Sequence, residues 1–161
     1  MFASTSLERF LSSMALDSDV QTWATATSTN AHNGRKIIFR YAELLRATFD
    51  RASQPIRCII VWKYESDTGL PNAEDNQRMN LLEDTLLPVL EGDRFATLAL
   101  VSTGEDLREW TYYAKSESEF MARLNHAFAG IPEFPIDIHI ACDPNWDMYD
   151  QFKAGVRKIV N

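Results

Sequence analysis

Cysteine is scarce: Cys58 and Cys142 are the only two in a chain of 161 residues. So few, so far apart, make neither a zinc knuckle nor a disulfide scaffold, and the usage suits a reducing cytoplasm. Cys58 lies in an apolar run and reads as a buried thiol; Cys142 ends a second run and reads as partly exposed. Histidine numbers three, and no second His or Cys pair completes the tetrahedral set that zinc prefers, so no metal site is expected. No apolar run reaches the roughly 18 residues of a membrane helix. The opening stretch "MFASTSLERFLSSMALDSD" has no basic leader and no unbroken apolar core, which makes it a poor secretory signal. Basic residues are also in short supply, 16 against 23 acidic ones, for a formal net charge of −7. Arg35–Lys36 and Arg157–Lys158 are the only adjacent basic pairs. An acidic surface repels phosphate backbones and anionic lipid, so neither nucleic acid nor a membrane is the expected partner. A glycine-rich phosphate loop, a nucleophile elbow and a Ser–His–Asp set are all missing, and no cofactor is expected.

What is present is enough for a core. At this length one domain, residues 1–161, is expected to bury roughly 70% of the surface of its unfolded chain. "SLERFLSSM" sets Leu7, Phe10, Leu11 and Met14 at helical spacing, which predicts a helix within residues 1–20. "TWATATST" and "KIIFRYAEL" flank an Asn33-Gly34 turn signal, which predicts a β-hairpin over residues 21–44. "IRCIIVWKY" reads as a central strand, apolar on both faces. Asn72 caps a helix whose stripe is Met79, Leu82, Leu86 and Val89, ended by Pro88 and Gly92. "FATLALVST" and "LREWTYYAK" form two strands around a Gly104-Glu105 turn. Ser116 and Glu119 make a capping box for the next helix, with Phe120, Leu124, Ala127 and Ile131 on its stripe. "FPIDIHIAC" alternates cleanly, and Asp143-Pro144 caps a last helix aligning Trp146, Tyr149, Phe152, Val156 and Ile159.

From residue 56 to residue 142 the order is thus β-α-β-β-α-β, an α+β, ferredoxin-like core with an antiparallel sheet and both helices on one face. The hairpin extends that sheet or shields its other face, and residues 143–161 form the C-terminal helix. Ile59, Val61 and Ile138 fall in central paired strands.

The series "VWKY" (Val61–Tyr64), "GLP" (Gly69–Pro71), "LLED" (Leu81–Asp84), "REWTYY" (Arg108–Tyr113), "FPIDI" (Phe134–Ile138) and "DPNWDMY" (Asp143–Tyr149) resembles a bacterial domain family of unknown function, number 695. The resemblance spans the chain from about Trp23 onward and implies no catalytic residue. A fainter similarity, through the order of elements and "DPNWDMYD", is to the regulator of ribonuclease E called protein B, which implies an acidic regulator that binds an enzyme.

Two constellations are candidate sites. Trp62, Trp110 and Tyr112, with Arg108, lie on strands expected to be neighbours, a placement like that of an RNA-recognition sheet, where exposed rings stack on bases. Alternation puts Arg108, Trp110, Tyr112 and Ala114 on one face, and its composition favours a core. Asp137 and His139 share the opposite face of their strand, and with Glu109 they could do acid–base chemistry. The commoner origin of such a pattern is a solvated sheet face. "ESDTGLPNAED" lacks the ligand spacing of a calcium loop, and its carboxylates suit a helix N-terminus. The reading favoured by these observations is a cytoplasmic, non-catalytic domain that binds a protein partner or a small ligand. The alternatives are a small acid–base enzyme using Asp137, His139 and Glu109, and a self-associating module that pairs edge strands as a homo-oligomer.

Overall fold

The computed structural model describes residues 18–160. The helix expected within residues 1–20, with Leu7, Phe10, Leu11 and Met14, lies outside them apart from its last three positions, and so does the side chain of Ile159. Strands β1 (Val20–Thr29), β2 (Lys36–Leu45), β3 (Ile56–Lys63), β4 (Ala96–Gly104), β5 (Leu107–Ala114) and β6 (Ile136–Cys142) alternate with helices α1 (Ala73–Glu91), α2 (Glu117–Phe128) and α3 (Asp147–Val160). The six strands form one antiparallel sheet in the order β1-β2-β4-β5-β3-β6. Each of α1 and α2 joins strands separated by one neighbour, which is why both strand-to-strand crossings need a helix and not a turn. β3 is interior, as its apolar run suggested, whereas β6 is an edge strand, so Ile138 has pairing on one side only.

The hairpin extends the sheet by pairing β2 with β4, Arg40 opposite Val101. Its connection runs through Asn30–Arg35 and is closed by reciprocal backbone bonds between Asn30 and Gly34 or Arg35. Asn33 Oδ1 accepts the Arg35 amide, and Gly34 takes the left-handed φ of +70° that the Asn-Gly pair offers. Gly104 has a different reason to be glycine. A Cβ there would stand 2.7 Å from the Lys36 carbonyl oxygen and 2.8 Å from Ile37 Cα, so only glycine lets β2 lie against the end of β4.

The helix starts follow the sequence closely. Asn72 Oδ1 accepts the Asp75 amide at 2.8 Å and Ser116 Oγ accepts the Glu119 amide at 3.2 Å. The ends are less obedient. Pro88 does not stop α1, which runs on to Glu91; the ring sits on an exposed side, and only the bond to the Asp84 carbonyl is forfeited. One buried position also moves: Leu90 and not Val89 completes the stripe of Met79, Leu82 and Leu86. At α3 the Asp143-Pro144 pair forms a turn closed by the Trp146 amide on the Asp143 carbonyl, and the helix begins only at Asp147.

Side-chain alternation divides the core in two. Cys58, Ile60, Trp62, Leu98, Trp110 and Tyr112 face α1 and α2. Ala42, Ala99 and Tyr113 face the other way, against Trp146 and Tyr149 of the α3 region. The side of β5 expected to be wetter is therefore roofed where Tyr113 and Thr111 stand, both buried. Trp146 stacks on Tyr113 with centroids 4.1 Å apart and an interplanar angle of 10°, and its indole N–H donates to the Gln54 carbonyl at 3.0 Å.

Asp143 ties this second layer together. Its carboxylate accepts the Tyr113 hydroxyl at 2.8 Å, the Asp147 amide at 2.9 Å and the Met148 amide at 3.3 Å, with Arg57 at 3.4 Å. Burial alone would raise its pKa, but these donors outweigh burial and hold the carboxyl below its ordinary value. Asp143→Ala should cost about 2 kcal/mol, because a helix cap disappears and the buried Tyr113 hydroxyl loses its acceptor. Urea denaturation at pH 7 checks the value. Since this carboxyl is depressed in the folded state, its contribution is present above the unfolded carboxylate pKa and is lost as pH falls through the folded one.

Candidate functional site

The six residues singled out for the two candidate constellations on β5, β3 and β6, and Arg108 beside them, end up in different surroundings. Trp62, Trp110 and Tyr112 are buried beneath the helical layer, each no more than 1% exposed, so no ring is presented as an open platform. The Trp110 indole N–H donates to Glu83 Oε1 at 2.9 Å. Arg108 is held by Thr103 Oγ1 at 2.8 Å and Asn76 Oδ1 at 3.1 Å, with its guanidinium over the Trp110 ring. Asp137 and His139 are exposed on the edge strand β6. Asp137 and Glu109 lie in one row across the sheet on either side of Val61, two strand spacings or about 10 Å apart. His139 occupies the next row on that face, opposite Ile59. The structure thus sets the three on one face without bringing them into hydrogen-bonding contact.

A different place gathers ionisable groups around empty space. Where the hairpin runs past the flank of α1, a partly open cavity of about 190 Å³ forms, lined by hairpin residues including Val20, Trp23 and Arg40, by Glu83, Asp84, Leu87 and Glu91 of α1, and by Leu98 and Tyr112 of the sheet. The apolar walls come from Val20, Trp23, Leu87 and Leu98; the polar groups converge from α1 and β2. Glu83 Oε1 accepts from both Arg40 Nη2 and Trp110 Nε1, which locks its rotamer at the cavity rim. The Arg40 guanidinium lies 5.3 Å from the centre of the Trp23 ring.

Glu91 is the unusual member. It sits in the last turn of α1, where the helix dipole disfavours a carboxylate, and is only 7% exposed. Its Oε1 accepts the Leu98 amide at 2.9 Å, and no other described residue donates to the carboxylate. Burial first, then the neighbouring Glu83 and Asp19, push its pKa up to about 7, against the opposing pull of the Leu98 amide and Arg40. Tyr112, 1% exposed, carries its hydroxyl to the same cavity and makes no hydrogen bond with any described residue. Burial, with Glu83 and Glu91 nearby, lifts its pKa well above the ordinary value. Asp84 is raised too, by burial and by Glu83. Perturbed ionisable groups converging on an apolar-walled cavity are the usual signature of a binding or reactive site.

Sequence reasoning found Tyr112 here but not Arg40, Glu83, Glu91 or Trp23. Two signals were available. Glu83 follows Met79 by four positions and precedes Leu86 by three, which sets a carboxylate on the flank of an apolar stripe. Glu91 places a negative charge at the wrong end of a helix. Among the described residues, no group of three or more His, Cys, Asp or Glu is arranged to hold a metal ion, and no helix is long and apolar enough to cross a membrane.

These features define a mixed α/β fold, with a six-stranded antiparallel sheet, three α-helices and a small cavity between hairpin and helix among the described residues. The chain belongs to the family of unknown function DUF695, whose model matches residues 21–153. No curated protein matches it.

Proposed function

We propose that the protein is a non-catalytic binding domain that takes a small ligand into the cavity between the hairpin and α1. The observation that carries this reading is an apolar-walled space of about 190 Å³ whose wall includes Glu91 and Tyr112, two largely buried ionisable residues whose pKa values burial raises. Ionisable groups perturbed by burial and gathered on one apolar-walled cavity are the features of a binding site. The split β-α-β-β-α-β connectivity supports a ferredoxin-like core for the domain, with the hairpin added at one edge. The two unpaired cysteines support a cytoplasmic setting. The formal net charge of −7 argues against nucleic acid as partner. An acid–base enzyme built on Asp137, His139 and Glu109 has less support, since Val61 stands between the two carboxylates.

The test is a survey of neutral, anionic and cationic fragments by two-dimensional NMR of the labelled protein. Fragment-induced shifts should centre on Val20, Trp23, Leu98 and Tyr112. A survey in which no fragment of any charge moves those resonances would remove the cavity from consideration.

One observation favours a second reading, self-association. The edge strand β1, "VQTWATATST", has no charged side chain and no proline, two of the devices that ordinarily keep edges apart, and is regularly paired from Trp23 onward after irregular register at its start. Sedimentation at increasing concentration distinguishes a monomer from a dimer paired through β1.

A further inference from the structure

We propose that the cavity between the hairpin and α1 selects a small organic cation: one ring or a comparable apolar body carrying a protonated amine that Glu91 and Tyr112 receive. The inference rests on the binding reading above and names its ligand class.

Charge decides the sign. Among the described residues Arg40 is the one cation on the cavity wall, and its charge is already matched by Glu83, to which it is hydrogen-bonded. Asp84 and Glu91 remain, so an entering anion meets uncompensated carboxylates and an entering cation meets a counter-charge. Hydrogen-bond capacity agrees. The free Glu91 oxygen can only accept when ionised, and the Tyr112 hydroxyl can accept as well. An ammonium group offers three donors and no acceptor, which suits two acceptors at the end of an apolar channel. Trp23 adds an aromatic wall, one face of which already carries the Arg40 guanidinium. A metal ion fits less well, because the carboxylates are not grouped as a ligand set among the described residues and most of the wall is apolar.

Size sets the body. An apolar cavity of roughly 150 Å³ accommodates benzene. About 190 Å³ therefore suits a single ring with a two-carbon tether to the nitrogen. That geometry would lay the ring among Val20, Leu87 and Leu98 and leave the nitrogen at Glu91.

Three near-isosteric probes test the proposal by isothermal titration at pH 8: 2-phenylethylamine, 2-phenylethanol and 3-phenylpropanoate. The amine is expected to bind at least tenfold more tightly than the alcohol, and the propanoate more weakly than both. Glu91→Gln keeps shape and the acceptor for the Leu98 amide while removing the charge, and should bring amine and alcohol within about threefold of each other. Tyr112→Phe should weaken the amine and leave the alcohol's rank unchanged. Equal binding of amine and alcohol to the parent protein, or an amine preference that survives Glu91→Gln, overturns the proposal. Binding of the alcohol or propanoate with the amine excluded overturns the charge assignment while leaving the cavity as a binding site. If none of the three binds and the NMR survey is also silent, the binding reading itself falls.

Discussion

Trp110→Ala should lower the stability of the fold by about 3–5 kcal/mol, the range for removing a fully buried large aromatic side chain. Three losses combine. The indole is 0% exposed in the layer between sheet and helices, so its removal leaves a void bordered by Ile60, Val101 and the α1 stripe. Its N–H also donates to Glu83, and without it Glu83 keeps only Arg40. Finally, Arg108 loses the ring beneath its guanidinium. Domains of this size have total stabilities of about 5–15 kcal/mol, so the variant should melt far below the parent or aggregate. Glu109→Ala, one residue away on the opposite face, should change stability by about 0.5 kcal/mol or less. Thermal melts of the two variants beside the parent check both values. Near-parental stability in Trp110→Ala would contradict the burial of that ring.

Glu91→Gln should act in the opposite direction, and increasingly so as pH rises above about 4.5. The carboxyl's pKa is raised from 4.5 unfolded to about 7 folded. A raised folded value means that stability is fully present below the unfolded pKa and is lost as pH rises from about 4.5 through about 7. At about 1.4 kcal/mol for each tenfold in proton affinity, the loss approaches about 3 kcal/mol at pH 8. Glutamine avoids it, being neutral throughout and still able to accept the Leu98 amide. The charges acting on Glu91 are Glu83 and Asp19, which raise its pKa, and Arg40, which lowers it; all three remain in the variant. Denaturation curves should therefore nearly coincide at pH 4 and separate progressively toward pH 8, with the variant the more stable. A variant less stable than the parent at pH 8 would show that the Glu91 charge contributes to holding Arg40 in place.

Much of the architecture is legible from local signals. Asn72 and Ser116 announce helices because a cap needs one side chain and the next three residues. The turn chemistry of Asn33-Gly34 and the apolar run of β3 work the same way. Where the reading departs from the structure, the deciding contact is distant. Pro88 looks like a stop, but its exposed position within α1 lets the packing of Leu86 and Leu90 on the sheet continue the helix. The wetter-looking side of β5 is dry at Tyr113 because Trp146, thirty-three residues later, stacks on it. The cavity is the extreme case. Its walls are drawn from the hairpin, α1 and the sheet strands β4 and β5, and no window of sequence contains more than a few of them. Ionisable pairs such as Arg40 and Glu83, forty-three positions apart, leave no periodic trace.

The placement of α3 bears on how the molecule opens. Starting beside the edge strand β6, the helix reaches the far end of the sheet: the Tyr149 hydroxyl donates to the Ala42 carbonyl, Lys153 Nζ donates to the Glu43 carbonyl at 2.9 Å, and Phe152 packs on Phe39 and Tyr41. An added hairpin would ordinarily be the first segment to fray, since β1 is an edge and β2 meets the sheet over a short register. Bolted from behind by α3, the hairpin and the helix should instead open as one cooperative foldon, with matched amide protection factors in β2 and α3. Shortening the chain before Tyr149 would then loosen the hairpin wall that carries Trp23 and Arg40. The cavity on one side of the sheet is in this way mechanically latched by a helix on the other.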